Sequence, residues 1–160
     1  MLACGHNHRT DAELEEAFHD HYPDLVTLAA MLQQEPDVIA VAETFVSTDY
    51  ASFLVRGGKF ADISSRPPMT AQKLARYLEL CKKIGMEGPV FKRTNSIEFV
   101  YDASSMSNGD TQKGFLRSTR AMSPLAASLD DLSKPPQFGP GPYKVYKPLA
   151  TGWYLYLIIN

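Results

Sequence analysis

Four histidines in this 160-residue chain invite a metal reading: His6 and His8, then His19 and His21. Zinc needs ligands that converge on a tetrahedron, which on a helix means spacings of three or four residues. These histidines come in pairs two apart. His19 and His21 would diverge on a helix, and His6 and His8 sit in a terminal tail. They read as surface histidines, and no metal site is expected. Nucleophilic chemistry is not indicated either. No serine stands in a G-x-S-x-G elbow, and the glycines of GGKF and SNGD form neither a phosphate loop nor a dinucleotide fingerprint. The adjacent Asp130 and Asp131 read as solvated carboxylates. The sequence therefore points to no catalytic residue, no cofactor and no enzyme.

Recognition is the chemistry that the remaining polar residues suit better. Lys113, Arg117 and Arg120 stand close together in KGFLRSTR. Arginine offers a planar fork matched to carboxylate or phosphate, and residues four apart on a strand share a face. These cations could pair with acids of the first helix, such as Glu15 and Glu16, or receive an anionic partner group. Internal pairing is the simpler expectation. Up to Asp37 the charges are acidic except for Arg9, whereas from Lys113 onward basic residues dominate, so the two ends can neutralise each other. Tyr146, Tyr154 and Tyr156 are expected on the far side of the C-terminal strands, where Lys113 and Arg117 would join them. A tyrosine- and cation-lined surface has the composition of a protein contact. The net charge of -2 and the spread of the basic residues give no reason to expect nucleic acid.

The elements that must position these residues fall into two groups. TDAELEEAFHDHYPDLVTLAAMLQQE reads as helix, opened by a capping box of Thr10 and Glu13. Leu14, Phe18, Leu25, Leu28 and Leu32 form its apolar stripe. Pro23 keeps the phase of that stripe and implies a kinked helix or two helices in sequence. Residues 37–45 read as a strand or extended segment, and those from Ser47 to Pro68 as loop with one short strand around SFLV. Thr70 caps a second helix that stops at Gly85, with Leu74, Tyr77, Leu78, Cys81 and Ile84 on its buried side. Cys81 is expected to be buried and unpaired.

After Gly88 the rhythm becomes that of strands: VFKR, SIEFVYD, KGFLRS, YKVYKPL and GWYLYLII, with SSMSNGD as a turn. SPLAASLDDL reads as a short helix and KPPQFGPGP as a connector. Trp153, Leu155, Leu157 and Ile159 should face the helices. The expectation is an α+β fold, N-terminal helices packed on a C-terminal antiparallel sheet of four or five strands. Residues 1–9 would be a flexible tail and 10–160 one domain.

The order of these segments resembles an uncharacterised family of small bacterial lipoproteins. The resemblance is carried by Lys113-Gly114-Phe115, by Pro124-Leu125-Ala126-Ala127-Ser128-Leu129-Asp130, by Trp153-Tyr154-Leu155-Tyr156 and by a cysteine near the start. It implies export, a lipid on Cys4 as the first mature residue, and a periplasm-facing domain. Leu2 departs from the small residue usual at that place. The family carries no assigned activity, so the resemblance speaks of location alone. The expectation is a non-catalytic envelope domain that binds a protein or envelope component and touches the membrane only through its lipid. The alternative is a cytoplasmic immunity-type protein that neutralises a toxin.

Overall fold

The computed structural model describes residues 9–61, 65–106, 109–130 and 142–159. Its first helix starts where local chemistry says it must. The Thr10 side chain accepts from the Glu13 N–H, and the Glu13 carboxylate accepts from the Thr10 N–H at 2.7 Å. Helix α1 (Asp11–Gln33) then runs unbroken through Pro23 and buries Leu14, Phe18, Leu25, Leu28 and Leu32. One helix, not two, carries the stripe.

Four strands follow: β1 (Val38–Val41), β2 (Phe45–Thr48), β3 (Ser52–Arg56) and β4 (Lys59–Phe60). Helix α2 (Ala71–Ile84) runs from the Thr70 cap to Gly85, whose φ of 79° gives the left-handed stop that glycine tolerates. Its buried residues are Leu74, Tyr77, Leu80 and Ile84. Leu78 and Cys81 are only partly buried against the core, so the thiol is less enclosed than expected. The chain closes with β5 (Val90–Lys92), β6 (Ser96–Met106), β7 (Gly109–Ser118), β8 (Tyr143–Ala150) and β9 (Trp153–Ile159).

The strands form one antiparallel sheet in the order β4-β3-β2-β1-β5-β6-β7-β9-β8. The α+β class stands, but the sheet has nine strands rather than four or five. Its first four lie between the helices, so the helices do not simply precede it. β1 lies in the segment read as strand or extended and β3 on SFLV. Val38, Val41, Val46 and Val55 are all core residues, and burying them joins these strands with β2 and β4 into a meander. Gly57 and Gly58, both at positive φ, make the tight turn between β3 and β4.

Helix α1 leads into the meander β1–β4. Helix α2 leads into a second set, also termed a meander here, in which the chain passes from β7 to the edge strand β8 and returns as β9 between them. The two meanders step away from a shared centre where β1 pairs with β5, Ala40 opposite Phe91 and Val41 opposite Val90. Both helices contribute to one apolar core on the same face, with Phe99, Phe115, Trp153 and Leu155 among its strand residues. Residues 123–130 form no helix. The Ala126 N–H donates to the Tyr146 carbonyl and the Tyr146 N–H to that of Pro124. Backbone groups that a helix would have used internally instead cover the outer edge of β8. Asp131, Leu132 and the proline-rich connector lie outside the described residues.

Candidate functional site

Lys113 is the most enclosed cation in the described residues, 1% exposed. Its place follows from the strand pattern. Phe115 faces the helices, so Lys113 and Arg117, two residues to either side, face them too. Lys113 Nζ lies 2.8 Å from Asp11 Oδ1 and donates to Asp130 Oδ1 at 2.6 Å and to the Arg9 carbonyl at 3.0 Å. Asp11 Oδ2 accepts from the Leu129 N–H at 2.8 Å and meets Lys147 Nζ at 3.2 Å. Asp130 Oδ2 in turn accepts from the Asp11 N–H at 2.8 Å, at the end of α1 where the helix dipole favours an anion.

A β-bulge completes this cluster. Val100 pairs with Gly114 and Asp102 with Lys113, which leaves Tyr101 as the extra residue. Asp102 Oδ2 then accepts from the Arg9 N–H at 2.8 Å. A side chain at Gly114 would put its Cβ 2.0 Å from the Phe99 carbonyl oxygen, so the strand opposite the bulge requires glycine. Burial works to raise the Asp11 pKa, but Lys113, the Leu129 N–H and Lys147 outweigh it and hold the carboxyl below its ordinary value. Lys113 therefore does pair internally, but with Asp11 and Asp130 rather than Glu15 and Glu16. Glu15 pairs with Lys147 at 2.6 Å. Acidic start and basic end meet here. The cluster fastens α1 to β7 and to residues 128–130, and its groups are turned towards one another rather than outwards.

The tyrosine- and cation-lined surface does not form as expected. Tyr146, Tyr154 and Tyr156 do share the far face, yet Tyr146 and Tyr156 are buried with Leu116 in a second apolar cluster against which Met122 and Ile158 pack. Burial pushes the Tyr156 phenol pKa upward. The cation on that face is Lys144, over the Tyr156 ring at 5.4 Å and paired with Glu98 at 2.7 Å. Lys113 and Arg117 are on the other face and part company along β7. Arg117 rests over the Trp153 ring at 5.9 Å, and Arg120 is exposed beyond the strand. Cys4 lies outside the described residues.

Two depressions remain. A small recess of about 180 Å³ is lined by Lys92, Arg93, Asn95, Ser96, Arg117 and Thr119 among others. A groove of about 910 Å³ lies between the β2–β3–β4 end of the sheet and the start of α2. Its apolar lining includes Tyr50, Phe53, Phe60, Pro67 and Met69. Tyr50 is 77% exposed, its hydroxyl donating to Asp37 Oδ1 at 3.1 Å, and the Phe53 and Phe60 rings meet edge to face. Glu35 is paired with Lys73, whereas Lys59 and Arg66 have no ionic partner among the described residues. The groove was not foreseen because its walls come from the segment read as loop. The one available signal was the run of aromatic residues at Tyr50, Phe53 and Phe60.

No protein-family model, curated protein or solved structure matches this chain. Among the described residues no helix is long and apolar enough to cross a membrane, and no group of three or more side chains is placed to hold a metal ion.

Proposed function

We propose that this chain is a non-catalytic binding domain of the bacterial cell envelope, anchored by lipid on Cys4, that receives an extended segment of a partner protein in the groove beside α2. The groove carries this reading. An exposed tyrosine, two half-buried phenylalanines and the buried Met69 line one concave site, and aromatic anchors in a pocket are the composition of a protein-binding hot spot. Lys59 and Arg66, which have no ionic partner among the described residues, select a segment that mixes apolar side chains with carboxylates. The envelope location rests on Cys4 and on the order of the C-terminal motifs.

Selection of a random-peptide library on the purified domain should return acidic, apolar-rich sequences. Tyr50→Ala should weaken the selected peptides by about 2 kcal/mol, the scale of an interface anchor. Arg66→Glu should also weaken them. Failure to enrich any sequence, or peptides indifferent to both variants, would remove the groove reading. Location is tested separately. The protein expressed from its own locus should incorporate labelled palmitate and lose the label in Cys4→Ser. An unlabelled, cytosolic protein would favour the toxin-neutralising alternative.

A further inference from the structure

We infer that the recess between the C-terminal turn of α1, the β5–β6 turn and the end of β7 binds a phosphate group, through Arg117 and Arg93. The recess lies apart from the groove, so this inference does not depend on the function proposed above.

The charge of the lining is one-sided. Lys92, Arg93 and Arg117 line it with Gln33, Thr94, Asn95, Ser96, Ile97 and Thr119, and none of these is acidic. On the neighbouring strands β7 and β8 three lysines meet carboxylates: Lys113 has Asp11 and Asp130, Lys144 has Glu98, and Lys147 has Asp11 and Glu15. Among the described residues Arg117 meets only the face of Trp153, and Arg93 only that of Phe91 at 5.3 Å. Both guanidinium groups retain donor edges for an oxyanion, which arginine can hold through paired N–H groups.

The position next to the end of α1 would repel an anion if that end were bare. It is not bare. Lys92 Nζ donates to the carbonyls of Glu35 and Pro36, the latter at 3.2 Å, and reaches that of Leu32 at 3.5 Å. Its charge cancels the negative end of the helix and leaves the arginines to set the local potential. The walls are fixed by backbone. The Arg93 N–H donates to the Ser96 carbonyl at 2.8 Å and the Thr119 N–H to the Asn95 carbonyl at 3.0 Å. Hydroxyls of Thr94 and Ser96 and the Asn95 amide line the space with further donors, while the Thr119 hydroxyl donates to the Asn95 carbonyl at 3.3 Å. A volume of about 180 Å³ suits a compact oxyanion rather than a nucleotide. Two arginines suit a doubly charged phosphate better than a single carboxylate.

Trp153 is the only tryptophan of the chain, and Arg117 lies over it, so the site carries its own reporter. The protein is titrated with inorganic phosphate and, separately, with glycerol phosphate, at ionic strength held constant with sodium chloride. Trp153 emission and the phosphorus NMR linewidth are both read. A saturable response to either phosphate is expected, with both responding if the site reads the phosphate group itself. Acetate should not compete. Arg93→Gln, exposed on its turn, should weaken the affinity about tenfold or more while leaving Trp153 emission of the free protein unchanged. Arg117→Gln should abolish line broadening. A response that never saturates, one that equal sodium chloride reproduces, or one that survives both substitutions would overturn the assignment.

Discussion

The enclosure of Lys113 sets how this protein responds to substitution and to acid. Its ammonium has carboxylates at 2.8 and 2.6 Å and a carbonyl at 3.0 Å, and the residue is only 1% exposed. Removing one member of such a pair leaves the other charged and buried, which costs about 3–5 kcal/mol. Lys113→Met should therefore destabilise the protein by that amount in denaturant melts. Asp11→Asn added to it should restore part of the loss. The pH dependence carries a definite sign. The Asp11 pKa is lowered in the folded state, so its contribution is present above the ordinary carboxylate range and is lost as pH falls below about 4. The gap in stability between parent and Lys113→Met should narrow in that window. A gap that stays constant down to pH 2–3 would mean that Asp11 and Lys113 are not coupled.

At the scale of elements, what could be read from the sequence was what is local. Both helices announce themselves through caps and a 3.6-residue stripe, and Thr10, Thr70 and Gly85 stand where they were expected. Alternation in β9 likewise assigned Trp153 to the helix side, whereas Lys113 and Arg117 of β7 were expected on the far face and share the helix-side face of Phe115. In the first meander β1 and β3 fall where an extended segment and a short strand were read, but β2 and β4 span four and two residues, too few for a period of two to show. Of the candidate site, the internal pairing of Lys113 was legible, but its partners were not. Asp11 and Asp130 are brought to it by the docking of α1 and by an edge segment that was read as helix. The bulge at Tyr101 is equally non-local in origin, and it makes Gly114 the most constrained residue of the hairpin. A Cβ there would also stand 2.9 Å from the Tyr101 nitrogen, so backbone on the neighbouring strand must move. Gly114→Ala should cost about 3 kcal/mol or more, read as a fall in the denaturation midpoint. A mild effect would show that the β6–β7 register can slip at the bulge.

For the whole molecule the arrangement of two helices, each leading into its own meander, poses the question whether the halves unfold separately. The packing argues that they do not. One apolar cluster joins Leu14, Phe18 and Leu28 of α1 with Leu74 and Tyr77 of α2, Val46 and Val55 of the first meander, and Phe99, Phe115 and Leu155 of the second. Helix α1 belongs to the first half by sequence but covers the second, since the Phe18 ring meets Trp153 at 5.5 Å and Phe115 at 5.7 Å. Neither half can lose its packing without exposing apolar surface of the other. Two natural probes report the two regions. Trp153 is 3% exposed within an aromatic cluster of α1 and the C-terminal strands. Cys81 lies on α2, and burial pushes its thiol up to about 12 against an ordinary value of about 8.5, so it reacts slowly until α2 opens. With Cys4→Ser leaving Cys81 as the single thiol, its labelling midpoint in urea should coincide with that of Trp153 emission. A Cys81 midpoint at clearly lower urea would show that α2 and the groove beside it open while α1 and the second meander stay packed.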